Sequence, residues 1–411
     1  MIYGLVGEKL AHSYSPFIHS QLADYDYKLY EVEPSKLKDF ILKNKIGGLN
    51  ITIPYKKEVM QYCDELSPAA KAIGSVNTIY THKNKLYGDN TDIYGFMFML
   101  QKSDISLKNK NVIILGSGGT SLTAQYACRL SDAKNVVVIS RSSNINYDSL
   151  ENYKDYDIII NTTPVGMYPN NLKSVVDLKG FYRLSGVADV IYNPIKTKLI
   201  FEAKQLNIKN ASGLSMLVAQ AAKSCELFTG TKISVKQINR VIKALYHSVL
   251  NIVLVGMPGC GKTSIAKALA QKLSRPVLDT DLMVEQKAGM KIPEIFKKYS
   301  EAHFRTLEKS AVLEAGKQHS SVIATGGGVV MDADNYLPLR QNSRIYYIDR
   351  PVSMLQMSGR PLSKSTPALY EMYNKRKPLY TKYSDKRIIN TGSIESAADA
   401  IIEDFYENFS Y

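Results

Sequence analysis

The stretch Asn251-Ile252-Val253-Leu254-Val255-Gly256-Met257-Pro258-Gly259-Cys260-Gly261-Lys262-Thr263-Ser264 constrains the fold more than any other part of the chain. An apolar run of strand length enters a turn spaced G-x-x-x-x-G-K-T. The amphipathic pattern Ile265-Ala266-Lys267-Ala268-Leu269-Ala270 follows. Strand, glycine-rich turn and helix in that order make a phosphate-binding loop, in which successive backbone N–H groups turn inward around an anion. Gly256, Gly259, Cys260, Gly261 and Ser264 would supply the cradle. Lys262 reaches the outer phosphates and Thr263 offers a hydroxyl to Mg²⁺. The loop begins a nucleotide-binding domain near residue 249, so about 248 residues before it need their own explanation.

Those residues alternate short apolar runs with helical patterns, which predicts α/β architecture with parallel strands. Ile2–Val6, Lys28–Val32 and Gly48–Ile53 read as strands, and Ser15-Pro16 as a helix start. A second glycine turn, Gly116-Ser117-Gly118-Gly119, follows the strand Asn111–Leu115 and opens a helix, as in dinucleotide-binding sheets. Ser121 stands where the usual fingerprint has its third glycine. The next strand ends in Ser140-Arg141-Ser142. An acidic residue there would bind the ribose hydroxyls of NAD, whereas Arg141 with flanking hydroxyls suits the 2′-phosphate of NADP. Three polar clusters sit at strand ends or turns: His12–Pro16, Asn50–Lys56, and Gly88–Asp92 with Ser75–Thr78 just before it. Singly, each reads as an ordinary cap or turn. Helices are expected from Ala211 to about Phe228 and from Val235 to His247. No Gly/Ser- or Pro-rich linker follows, so the two halves are expected to be closely coupled.

Composition narrows the function classes. The four cysteines are far apart and form no C-x-x-C pair, which argues against a zinc site or a disulfide framework and fits a reducing cytoplasm. No signal-like or membrane-spanning stretch appears. The net charge of +14 comes from scattered Lys and Arg, which suits anionic small substrates better than nucleic acid. A homo-oligomer is compatible with the sequence.

Taken together, the ordered clusters of residues 1–248 resemble shikimate dehydrogenase. They are Ser13-x-Ser15-Pro16, Asn50-x-Thr52-x-Pro54-x-Lys56, Val76-Asn77-Thr78, Gly88-Asp89-Asn90-Thr91-Asp92, the Gly116 turn and the helix Gly213–Ala221 with Gln220. The resemblance implies a substrate domain (about 1–100 plus 213–248) and a Rossmann-like NADP domain (about 101–212). It implies that Ser13 and Ser15 hold a carboxylate, that Thr52, Asn77 and Gln220 bind ring hydroxyls, and that Lys56 and Asp92 form the catalytic pair. Gly116, Gly118, Gly119, Ser140 and Arg141 would hold NADP. The second basic residue that the family often carries after the Arg141 position is absent, since Ser143-Asn144-Ile145 stands there.

Residues 249–411 resemble shikimate kinase, a P-loop α/β domain with a parallel sheet. The resemblance rests on the phosphate loop, Asp279-Thr280-Asp281, Phe304-Arg305-Thr306-Leu307-Glu308, Thr325-Gly326-Gly327-Gly328, Arg360-Pro361-Leu362 and Arg376–Tyr380. It implies Asp281 at the acceptor hydroxyl and Arg305, Arg376 and Gly327 around the shikimate ring and carboxylate. Asp279 and Thr263 would lie beside Mg²⁺, and Lys262 and Arg360 would act on the phosphoryl of ATP. A further lid arginine of that family has no counterpart here. The implied chain is a bifunctional cytoplasmic enzyme of aromatic amino-acid and chorismate biosynthesis. It would use NADPH to reduce 3-dehydroshikimate and then ATP to phosphorylate shikimate. Its rivals are a preference for quinate or NAD in the first half and a nucleotide-sensing module in the second.

Overall fold

The computed structural model describes residues 1–10, 13–141, 145–355 and 366–407. The chain divides into two compact units, Met1–Leu245 and Tyr246–Tyr411.

The first unit holds two sheets. The strands of the first are β1 (Ile2–Gly7), β2 (Tyr27–Glu31), β3 (Ile46–Ile51), β4 (Glu65–Leu66), β5 (Thr78–His82) and β6 (Lys85–Asp89), in the order β2-β1-β3-β5-β6-β4. The pairs β1/β2 and β1/β3 are parallel, as the alternation predicts. The pairs β3/β5 and β5/β6 are antiparallel, which alternation alone does not reveal. A two-residue turn explains the second, because Lys83 and Asn84 both have positive φ, as a tight hairpin requires. Strand β3 stops at Ile51, two residues earlier than its apolar pattern suggests, where a turn closes from Tyr55 N–H to the Thr52 carbonyl.

All six residues of β3 are buried. The helix Leu214–Thr229 packs so close to it that a Cβ on Gly48 would lie 2.1 Å from the Phe228 ring. Only glycine allows that approach, and it sets the polar residues of the helix against those of β3.

The second sheet comprises β7 (Asn111–Leu115), β8 (Asn135–Ile139), β9 (Ile158–Asn161), β10 (Gly186–Asp189) and β11 (Lys209–Ser212). All pairs are parallel, and the order is β11-β10-β9-β7-β8. The order reverses between β7 and β9, so a crevice opens at the carboxyl ends Leu115 and Asn161. Its strands are apolar on both faces and feed two cores, one on Ile114 and Ile160, the other on Ile113 and Ile159. Ser121 is fully buried against the sheet, so a serine satisfies the close packing expected of the third glycine.

In the second unit β12 (Asn251–Val255) is central to a parallel sheet with β13 (Val277–Asp279), β14 (Val322–Ala324), β15 (Ser343–Asp349) and β16 (Lys386–Ile389), in the order β13-β14-β12-β15-β16. Every residue of β12 is buried, so the glycine loop leaves from the middle of the sheet. No helix among the described residues is long and apolar enough to cross a membrane.

Two candidate active sites

The first site is a cavity of about 240 Å³ in the first unit. Its walls include Ser13, Ser15, Thr52, Lys56, Asn77, Asp92 and Gln220, so all seven residues assigned to substrate or catalysis there come together. Each is delivered by a different local device. Lys56 sits in the turn after β3, pinned by the Val76 N–H on its carbonyl at 2.7 Å. Asp92 opens the helix Asp92–Lys102, and Gln220 comes from the helix Leu214–Thr229. The Lys56 ammonium donates to Asp92 Oδ2 at 2.6 Å, with the two side chains 29% and 14% exposed. Enclosure therefore protects the pair from full solvent screening, yet the ammonium still faces the cavity.

Asn77 Nδ2 donates to the other Asp92 oxygen at 2.9 Å, to Thr91 Oγ1 at 3.1 Å and towards Gln220 Oε1 at 3.5 Å. The orientation of that amide is set from behind. Asn77 Oδ1 accepts from Thr91 N–H at 2.7 Å and lies 3.1 Å from the Thr78 hydroxyl. Beneath it lies a buried hub. Ser224 Oγ is 2.8 Å from Asn50 Nδ2, 2.8 Å from Thr78 Oγ1 and 3.0 Å from Thr91 Oγ1. Tyr27 O–H completes it by donating to Asn50 Oδ1 at 2.8 Å. The residue types alone do not single out Ser224, because its partners Asn50 and Thr91 lie 174 and 133 positions away. Tyr192, which has no sequence signal, and Thr120, next to the glycine turn, also border the cavity.

Thr120 belongs to the helix Gly119–Leu130, whose first residues form the glycine turn. Added Cβ atoms on Gly118 and Gly119 would meet nothing within 4 Å, so the turn leaves open space at a helix N-terminus. Gly116 has φ +102° and lies against Thr162, whose hydroxyl donates to the Leu115 carbonyl at 2.7 Å. These residues fit a dinucleotide pyrophosphate. Ser140 is buried and Arg141 exposed at the end of β8; Ser142 to Asn144 lie outside the described residues, as does His12.

The second site is a cavity of about 760 Å³ in the second unit. The phosphate loop forms its floor. Gly259, Gly261, Lys262, Thr263 and Ser264 border it, whereas Gly256 and Cys260 do not appear in its wall and the Cys260 side chain is fully buried. Lys262 Nζ donates to the carbonyls of Gly256 and Met257, both at 2.9 Å, so the loop lysine is held by its own turn. Thr263 Oγ1 donates to Asp279 Oδ2 at 2.9 Å, which sets side by side the two oxygens assigned to a divalent cation. A hydroxyl and a carboxylate are the hard donors Mg²⁺ takes. No cluster of three or more His, Cys, Asp or Glu among the described residues has metal-site geometry.

Asp281, Arg305 and Arg376 form the other end. Arg305 donates to Glu308 at 2.7 Å and to Glu301 at 2.9 Å. Arg376 donates to the Gly327 carbonyl at 3.0 Å, which Tyr380 O–H shares at 2.5 Å. Gly327 thus supports the arginine as well as bordering the cavity. Burial, reinforced by the charge of Asp279, pushes the Asp281 carboxyl up to about 6, against the attraction of Lys262. Glu308 is buried with one oxygen unpartnered, and burial raises its affinity for a proton despite Arg305. Nothing in its spacing gives Glu308 a role, since only the fold brings it beside Gly326 and Asp281. Arg350 is a third cavity arginine that sequence reasoning missed. Arg360 lies outside the described residues.

Comparison with known proteins matches both halves. Residues 5–79 match the shikimate dehydrogenase substrate binding domain, 213–243 the shikimate 5′-dehydrogenase C-terminal domain and 258–406 shikimate kinase. The chain is 38% identical over 263 residues to a shikimate dehydrogenase (NADP(+)) of Clostridium beijerinckii, covering 59% of this chain and 96% of that one. Among solved structures, it resembles a chorismate mutase/shikimate 5-dehydrogenase fusion protein from Clostridium acetobutylicum, with TM-score 0.57, 38% identity and coverage of 59% and 96%. It also resembles the shikimate 5-dehydrogenase of Listeria monocytogenes in complex with shikimate and NAD, with TM-score 0.54, 26% identity and the same coverage.

Proposed function

Since the chain belongs to the shikimate dehydrogenase family and carries a shikimate kinase domain after it, we propose that it catalyses two consecutive reactions. The first unit reduces 3-dehydroshikimate to shikimate with NADPH, and the second phosphorylates shikimate at its 3-hydroxyl with ATP. One observation carries this reading: the Lys56–Asp92 pair faces a cavity whose wall brings together the hydroxyls of Ser13, Ser15 and Thr52 and the amides of Asn77 and Gln220 among apolar side chains, the surface a small polyhydroxylated acid needs.

In the first unit NADPH, when bound along the Gly116 turn, supplies the hydride. The chain itself must then stabilise the alkoxide that develops on the substrate. Lys56 places positive charge at that oxygen and hands it a proton. Asp92 aims the ammonium and accepts from a neighbouring substrate hydroxyl. Asn77 and Gln220 orient the ring, and Ser13, Ser15 and Thr52 hold the carboxylate end and a further hydroxyl. Arg141 favours the 2′-phosphate of NADP.

In the second unit Asp281 accepts the proton of the attacking hydroxyl. A carboxyl raised to about 6 is still ionised at neutral pH and is a better base than an ordinary aspartate. Arg305 and Arg376 hold the acceptor's carboxylate. Lys262 shifts its hydrogen bonds from the loop carbonyls to the phosphates. Thr263 and Asp279 would hold Mg²⁺, which supplies charge neutralisation when bound. Arg360 is assigned by sequence to the same phosphoryl.

The test is a single reaction containing purified chain, 3-dehydroshikimate, NADPH, ATP and Mg²⁺, read by mass spectrometry. Shikimate 3-phosphate is the expected product. If shikimate accumulates unphosphorylated, the kinase assignment fails; if the 3-dehydroshikimate is untouched, the dehydrogenase assignment fails. Parallel runs with quinate and NAD⁺ test the nearest competitors.

A further inference from the structure

The cavity of the second unit has a direction, and the phosphate loop reports it. At one end of the loop, a Cβ on Gly327 would lie 2.6 Å from the Pro258 ring, so Pro258 abuts the end where Asp281, Arg305 and Arg376 gather. At the other end, a Cβ on Gly261 would lie 2.8 Å from Asn390 Nδ2 and 3.5 Å from the Ile394 side chain. Asn390 Nδ2 also donates to the Cys260 carbonyl at 2.7 Å. A nucleotide whose outer phosphates meet Lys262 therefore points its transferred group past Pro258. Its remaining phosphate and base must extend past Gly261, towards Gly392–Ile394 and the end of β15.

Arg350 borders this cavity and is the first residue after β15. Three described arginines line the cavity, and two are occupied. Arg305 has Glu301 and Glu308, and Arg376 has the Gly327 carbonyl. Among the described residues no carboxylate pairs with Arg350, and its Nε is buried without a hydrogen-bond partner. A permanent cation half out of water with no counter-charge is unfavourable unless a ligand completes it. With Nε enclosed and the residue bordering the cavity, what the guanidinium can offer a ligand is its terminal N–H groups and its flat face. Those are the two features that recognise a phosphate oxygen and a planar base.

We infer that Arg350 anchors the non-transferred end of the nucleotide, its α-phosphate and base, from the rigid end of β15. This rests on the kinase reading of the second unit. As a binding residue it contacts substrate without touching the group that moves, so its loss weakens nucleotide binding and leaves the chemical step alone.

The experiment compares the full chain with Arg350→Ala and Arg350→Lys. Two quantities are measured: the KM for ATP at saturating shikimate, and the Kd for ADP by calorimetric titration. Loss of one charge-assisted contact predicts a rise of about ten- to a hundredfold in both for Arg350→Ala. Arg350→Lys should show a smaller rise, because a point charge replaces the planar fork. The KM for shikimate and the kcat at saturating ATP should stay within about twofold of the parent chain. Unchanged ATP and ADP values overturn the inference. So does a defect that falls on kcat or on the shikimate KM, because it would put Arg350 at the transferred phosphoryl or the acceptor. If Arg350→Ala fails to fold, Arg350→Lys alone carries the comparison. If the parent chain does not phosphorylate shikimate, the kinase reading falls, and the ADP titration still decides the role of Arg350.

Discussion

Ser224→Ala is a small deletion with a large expected effect. Ser224 is fully buried, and its oxygen lies within hydrogen-bond distance of Asn50, Thr78, Thr91 and the Gln220 carbonyl. Without it, Thr78 and Thr91 still have each other at 3.1 Å and the Asn77 amide oxygen at 3.1 and 3.2 Å. Asn50 keeps one N–H on Thr78 at 3.2 Å, but its other N–H is left without a partner in a buried position. One unsatisfied buried donor costs about 1–3 kcal/mol. For a unit of this size, that lowers the melting temperature by roughly 2–12 °C, at about 2–4 °C per kcal/mol. Scanning calorimetry of the full chain should show this fall in the transition that carries away the dehydrogenase activity. The kcat for shikimate oxidation should fall only a few-fold, because Asn77 still holds Asp92. The decisive measurement is a double-mutant cycle with Asn50→Ala. That substitution removes the bare donor, so the double variant should lose less stability than the sum of the singles. Strict additivity, or an unchanged melting temperature in Ser224→Ala, would refute the reasoning.

Other outcomes follow from the two sites. Lys56→Ala should abolish NADP-linked shikimate oxidation while phosphorylation of added shikimate continues, and Lys262→Ala should do the reverse; loss of both activities in either variant would show that the sites are not independent. Arg141→Ala should raise the KM for NADP about tenfold or more and leave that for NAD unchanged, so equal effects on both cofactors would remove the 2′-phosphate assignment. Kinase kcat/KM should drop as pH falls through about 6, where Asp281 takes up a proton. The same shift has a stability sign. Between the ordinary aspartate range and about 6 the unfolded chain has lost the proton that the fold retains, so the stabilisation is complete below that window and is lost as pH rises through it. Asp281→Asn should accordingly melt higher than the parent chain at pH 8 while losing kinase activity; a lower melting temperature would contradict this.

How legible these features are in the sequence depends on how local their causes are. The phosphate loop and the Gly116 turn are dictated by neighbours within a few positions, so strand, turn and helix appear where spacing puts them. Lys56 and Asp92 stand 36 residues apart and meet only because the turn after β3 and the start of a helix reach the same cavity. Nothing in their spacing says so, and only the order of the surrounding clusters points to them. Ser224, Tyr192 and Arg350 carry no local signal, and their surroundings are made by strands and helices remote in sequence. The antiparallel pairing of β5 with β6 is hidden for the opposite reason. It depends on two residues, Lys83-Asn84, that resemble an ordinary polar loop.

Gln220 and Ser224 sit one helical turn apart on Leu214–Thr229, one facing the substrate cavity and the other the buried hub. Each added or deleted residue rotates everything beyond it by roughly 100° about the axis. Gain or loss of a single codon between them would therefore carry one of the two away from its partners. The descendants of this gene should vary this helix by substitution alone. Changes in length should gather instead at places such as the exposed Lys83-Asn84 tip, where an extra residue displaces nothing that the chemistry uses.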